Sequence, residues 1–116
     1  MTLRNNREIG SRFEEMAAGY LRDMGYVILE RNYRTRLGEI DIIARDGKAL
    51  VFIEVKYRMN LEKGDPAEAV HGQKQRRIRN AARMYLYRHQ LGEEVPCRFD
   101  VVAILDSEIR LIRDAF

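Results

Sequence analysis

Apolar positions along the chain follow two rhythms, and acids interrupt the second one. Ile9, Phe13, Met16, Ala17, Tyr20, Leu21 and Met24 recur at intervals of three and four, the period of an amphipathic helix. Gly25 follows, a residue that tolerates positive φ and so ends a helix. Compact apolar runs at 26–29, 39–45 and 48–56 then read as three strands. Residues 33–37 read as a basic connection, with Gly38 permitting a turn, and Asp46 with Gly47 is a strong hairpin signal. After a polar stretch, Asp65 and Pro66 suit the N-cap and first position of a second helix. That helix is expected to bend near Gly72 and run to Gln90, with Ala81, Ala82, Tyr85 and Leu86 facing inward. Residues 97–105 form a fourth strand, Asp106 and Ser107 a turn, and 108–113 an alternating last strand. The order predicts an α/β fold with a mixed central sheet flanked by helices, in one domain over residues 1–116.

Asp41 sits among isoleucines in the second strand, and Glu54 sits between Ile53 and Val55 in the third. A buried charge is costly unless it is paired or binds a metal. With Asp46 and Gly47 as the two loop residues, Arg45 pairs with Lys48, Asp41 lies opposite Phe52 and Glu39 lies opposite Glu54. Side chains alternate faces, so Asp41 shares a face with Phe52, Glu54 and Lys56. Asp41 and Glu54 are then diagonal neighbours with backbones roughly 7–8 Å apart, close enough to converge on one cation. A slip of one residue would separate them.

Asp41, Glu54 and Lys56 together form the D…ExK arrangement of metal-dependent nucleases. Carboxylate oxygens suit Mg²⁺ or Mn²⁺. Such an ion activates a water, and Lys56 on the same face can orient that water or stabilise the phosphate. The plainer alternative is a set of edge-strand charges with a Glu–Lys pair. Glu14 and Glu15 cannot both face the sheet from the first helix, and one of them could overhang the site, the alternative being a solvated helix charge.

Charge and composition narrow the partners. The net charge is +3 and the isoelectric point about 9.2, which permits nucleic-acid binding. Arg31, Arg34 and Arg36 precede Gly38, while the second helix carries one stripe of Lys74 and Arg77 and another of Arg76, Arg79 and Arg83. Together these could form a DNA-binding rim, the alternative being a solvated face. Gln73 and Lys74 could reach the acids. Tyr33 and Tyr57 flank the site and read as partial core or as stacking platforms. His71 and His89 are expected at the surface, Cys97 partly buried, Asp100 as a buried hydrogen-bonding acid, and 60–65 as a loop. The single cysteine excludes an internal disulfide and paired-cysteine zinc sites. No apolar stretch suits a membrane span, and the first residues lack a signal-peptide core, so a cytoplasmic protein is expected.

A wider set of residues resembles the YraN-like family of small bacterial endonuclease-like proteins. The set comprises Glu14, Ala17, Ala18, Tyr20, Leu21, Gly25 and Tyr26, then Arg31, Asn32, Tyr33 and Arg34. It continues through Gly38, Glu39, Ile40 and Asp41, and through Phe52, Ile53, Glu54, Val55 and Lys56. Pro66, Glu68, Ala69 and Val70, then Lys74 and Arg77, then Arg98, Phe99, Asp100, Val101 and Val102 complete it. The family is similar to archaeal Holliday junction resolvases in the restriction-endonuclease-like PD-(D/E)xK superfamily.

The resemblance implies an αβββαβ core and divalent-metal cleavage of DNA, with branched DNA a candidate substrate. It implies that Asp41, Glu54 and Lys56 are catalytic, with Asp41, Glu54 and the Val55 carbonyl as metal ligands. Residues 10–14 resemble the resolvases' first-helix motif, which raises Glu14 as a site residue. Ile40 stands where the superfamily name has a proline. Resolvases act as dimers, so the resemblance also suggests a homodimer. The alternative is a nucleic-acid-binding or protein-interaction module that keeps this fold without turnover.

Overall fold

The computed structural model describes residues 6–68 and 70–116. The reading of residues 1–5 as lacking a signal-peptide core, and Ala69 in the resemblance, lie outside the described residues. Helix α1 (Asn6–Asp23) buries Ala17, Ala18 and Leu21 and ends as its sequence requires. Tyr26 N–H donates to the Leu21 carbonyl at 2.9 Å and Gly25 N–H to that of Arg22 at 3.0 Å. Gly25 takes φ 95°, the left-handed geometry of a helix stop.

Strands β1 (Val27–Thr35), β2 (Gly38–Asp46) and β3 (Ala49–Arg58) follow, then a short 3-10 helix (Pro66–Glu68) and α2 (Gly72–Arg88). Strands β4 (Cys97–Leu105) and β5 (Glu108–Ile112) close the described chain. The five strands form one sheet in the order β1-β2-β3-β4-β5. Neighbours are antiparallel except β3 and β4, which are parallel. A parallel pair needs a crossover, and α2 supplies it.

The two helices cover opposite faces. Val51, Ile53 and Val55 of β3 pack with Ile42, Ala44, Ala17, Ala18 and Leu21 on the α1 side. Leu50 and Phe52 alternate to the other side, against Ile78, Ala81, Ala82 and Tyr85 of α2. Strand β3 is apolar almost throughout because it is covered on both faces. Each wholly buried Ile, Leu or Phe contributes about 1.5–3 kcal/mol.

The structure corrects four expectations. Residues 33–35 are not connection but the end of β1, because Tyr33 is buried edge-on to Tyr85 with ring centroids 5.4 Å apart. The turn is confined to 36 and 37, where Thr35 Oγ accepts hydrogen bonds from Leu37 and Gly38 N–H. The β2–β3 hairpin turns at Gly47 and Lys48, so Asp46 pairs with Ala49 and Ile43 with Phe52, two residues from the expected register. Asp65 caps Ala67 N–H at 2.9 Å, but Pro66–Glu68 packs as a separate turn on β3 and β4, and α2 begins anew after His71. Cys97 is exposed, because the strand that begins there is covered only further along.

Several placements agree. Asp100 is wholly buried and accepts from Tyr26 Oη at 2.8 Å and Arg98 Nε at 2.9 Å. His71 and His89 are exposed, Tyr33 and Tyr57 belong to the core and its margin, and residues 60–65 form a loop.

Candidate active site

The β2–β3 ladder runs from Asp46 and Ala49 to Ile42 and Ile53 and stops there. Beyond that pair, β2 continues against β1, and β3 continues against β4. The next residues are Asp41 and Glu54, so both acids stand where the sheet forks. Continuing the observed register by one step sets them directly opposite rather than diagonal. The slip from the expected register is two residues, an even number, which keeps the two acids in phase up to the fork, while Ile42 on the α1 side and Ile40 on the α2 side show the alternation of β2 turning over at Asp41.

At the fork a side chain replaces a missing ladder bond. Val55 N–H donates to Asp41 Oδ2 at 2.8 Å, which pins the carboxylate between the strands. Asp41 is half-buried, and Glu54 is 3% exposed. Glu54 Oε1 lies 3.2 Å from Lys74 Nζ and 3.7 Å from Lys56 Nζ. Burial pushes the Asp41 carboxyl above its usual range, against the Val55 hydrogen bond and its bond with the Glu54 carboxyl. Burial, then the Asp41 charge, push Glu54 up to about 7 despite the two lysines. The pair therefore holds a proton near neutrality and titrates as a unit.

Strand β1 brings a third acid within electrostatic reach. Asn32 takes φ 53°, a left-handed geometry that Asn tolerates better than most residues. It falls between the pairs Arg31–Ile42 and Tyr33–Ile40, opposite Asp41. The twist reverses the strand's alternation. Arg31 reaches Glu15 of α1 at 2.6 Å, while Tyr33 turns to the α2 side. With its amide nitrogen toward α1, Asn32 lies 3.1 and 3.2 Å from the two Glu14 carboxylate oxygens. Burial and the Asp41 charge raise the Glu14 carboxyl. Of the two helix acids, Glu14 thus turns toward the fork and Glu15 stays exposed.

The basic rim is a distinct cleft of about 430 Å³. Arg34 and Arg36 of the β1–β2 turn region line it together with Lys74 and Arg77 of α2, Gly38 and Glu39. Gly38 is required there, since a Cβ on it would meet the Arg77 carbonyl oxygen at 2.5 Å. The two basic stripes of α2 separate: Lys74 and Arg77 line this cleft, while Arg79 lies over the rings of Phe99 and Phe116. Gln73 is exposed, whereas Lys74 reaches both Glu54 and the cleft. Sequence reasoning did not single out Asn32 as a shaping residue. In the sequence it falls between the apolar run 26–29 and the basic stretch 33–37, where no periodicity marks it.

Whether this fork suits a divalent ion follows from its donors. Among the described residues, no group of three or more His, Cys, Asp and Glu is gathered to hold a metal. A cation at the fork would rest on Asp41 and Glu54, with the Val55 carbonyl as the third protein oxygen the resemblance implies. Mg²⁺ is commonly held by one or two carboxylates, with water and phosphate oxygens completing its shell. Two acids raised first by burial, with the Asp41 charge raising Glu54 further, fit that role, because a cation between them stabilises the ionised forms that burial disfavours. Among the described residues, no helix is long and apolar enough to cross a membrane.

Comparison with known proteins gives a consistent set of matches. The model of the uncharacterised protein family UPF0102 matches residues 13–104. A UPF0102 protein of Lachnoclostridium phytofermentans is 59% identical over 112 residues, covering 97% of this chain and 95% of the relative. Two UPF0102 proteins of Clostridium botulinum, from strains 657 and Loch Maree, are 43% and 42% identical over 117 residues. Each of those matches covers 96% of this chain and 95% of the relative.

Proposed function

We propose that this chain, which belongs to the UPF0102 family, is a divalent-metal-dependent endonuclease that hydrolyses DNA phosphodiester bonds. The observation that carries the reading is the fork, where Asp41 and Glu54 meet beside Lys56 and a basic cleft opens next to them. A Mg²⁺ or Mn²⁺ ion held by Asp41, Glu54 and the Val55 carbonyl would supply an activated water and offset phosphate charge. The water oxygen bonds to phosphorus, one P–O ester bond breaks, and the leaving oxygen takes a proton.

The chain's own residues do the positioning. Asp41 is fixed by Val55 N–H, and Lys56 stands where it can orient the water or stabilise the crowded phosphate. Glu14, whose carboxyl burial and the Asp41 charge raise, would share a proton at the edge of the site. Arg34, Arg36, Lys74 and Arg77, which line the cleft, would contact the phosphate backbone. Branched DNA and a homodimer belong to this reading through the resolvase resemblance. We place its action in the reducing cytoplasm, with Cys97 as an exposed thiol.

Plasmid nicking in Mn²⁺, with and without EDTA, tests the proposal. Asp41→Asn and Lys56→Met should each lose roughly a hundredfold or more in rate, the scale of several kcal/mol of lost transition-state stabilisation. Undiminished nicking by Asp41→Asn would remove that residue from the mechanism. One observation favours the alternative binding module: two lysines already lie within 3.7 Å of Glu54, so the carboxylate has cationic partners of its own. That reading predicts salt-sensitive DNA binding with no divalent-dependent cleavage.

A further inference from the structure

Lys74 belongs to two sites at once. Its ammonium lies 3.2 Å from Glu54 Oε1, nearer than Lys56 at 3.7 Å, and its side chain also lines the cleft formed with Arg34, Arg36 and Arg77. The two partners differ in freedom. The Glu54 side chain is 4% exposed, whereas that of Lys74 is 34% exposed. Lysine is also a point charge on a flexible stem, with rotatable donors rather than a fixed fork. The cleft around it has a firm wall, since Gly38 packs against the Arg77 backbone with no room for a Cβ.

We infer that Lys74 couples the two halves of the site. With no anion in the cleft it occupies Glu54; when a phosphate of the strand enters, it turns to that phosphate and frees Glu54 for a divalent ion. The inference rests on the endonuclease reading and adds an order of assembly to it. A divalent ion and an ammonium group on the same carboxylate repel each other, so Lys74 on Glu54 competes with metal. An anion that binds better when Lys74 faces the cleft shifts the equilibrium away from that competitor. Linkage makes the effect reciprocal, so metal must tighten anion binding by the same factor. The protein would thereby hold its metal more tightly where a phosphate backbone is present.

The test is Mn²⁺ affinity, read from the electron paramagnetic resonance signal of free Mn²⁺, with sulfate as a soluble tetrahedral dianion. Titrations run in chloride and in sulfate at equal ionic strength, with protein-free controls correcting for sulfate-bound Mn²⁺. In wild type, sulfate should tighten Mn²⁺ binding on the order of fivefold or more. Lys74→Gln should bind Mn²⁺ more tightly than wild type in chloride and gain nothing from sulfate. Lys74→Met should behave alike, which guards against a folding defect peculiar to one variant. A sulfate-insensitive wild type, or Lys74 variants with wild-type affinity in chloride, would overturn the coupling while leaving the nuclease reading intact. A wild type that binds no Mn²⁺ would overturn both.

Discussion

Replacing Glu54 by Gln should make the metal-free protein more stable at alkaline pH, although the substitution removes two ion pairs. The ordinary carboxyl value is 4.5 and the folded protein pushes Glu54 up to about 7. The folded state therefore binds this proton more tightly than the unfolded state. Stability from this group is fully present below pH 4.5, falls as pH rises to about 7, and is gone above that. At about 1.4 kcal/mol per pKa unit, the ionised carboxylate costs the fold about 3 kcal/mol at pH 8. The attraction of Lys74 and Lys56 is already contained in that shift. Glutamine keeps the shape without the ionisation. Urea unfolding at pH 5, 6.5 and 8 should thus find Glu54→Gln near wild type at the lowest pH and up to about 3 kcal/mol more stable at the highest. Adding Mn²⁺ at pH 8 should stabilise wild type and leave the variant unmoved. A pH-independent difference, or a variant less stable at pH 8, would refute the claim that the fork holds a desolvated, mutually repelling acid pair.

Other consequences concern the scaffold. Gly38→Ala should destabilise the protein by about 1–3 kcal/mol, measured by urea unfolding, because its methyl meets the Arg77 carbonyl. The same variant should bind DNA more weakly in fluorescence anisotropy as the cleft is pushed open. Asp100→Ala should cost about 1–3 kcal/mol, since it removes the acceptor for Tyr26 Oη and Asp114 N–H and one of the two carboxylates that hold Arg98. Because Arg98 also binds Asp46 at the far end of β2, that loss should leave Mn²⁺ affinity per folded molecule unchanged.

The sequence made much of this site legible because strand periodicity is forgiving of even errors. The hairpin turns at Gly47 and Lys48 rather than at Asp46 and Gly47, an even slip, and the Asp41 and Glu54 carboxyls still meet at the fork. Helix α1 with its Gly25 stop, and β4 with its buried Asp100, follow from local pattern and appear as expected. Features set by distant partners were not legible. Residues 33–35 look like a basic linker until Tyr85 of α2 is there to bury Tyr33. Gly38 reads as a turn residue, but its need comes from the Arg77 backbone. Asn32 carries a left-handed φ that no periodicity announces, and the break between Pro66–Glu68 and α2 comes from packing rather than propensity.

The most direct measurement is Mn²⁺-dependent cleavage of an end-labelled panel of linear duplex, single strand, flap and four-way junction, with Asp41→Asn beside wild type. The account predicts discrete cleavage products from wild type that vanish in EDTA and in the variant, with the branched members cut fastest. Binding of the panel with no cleavage of any member, or cleavage that Asp41→Asn retains in full, would contradict it.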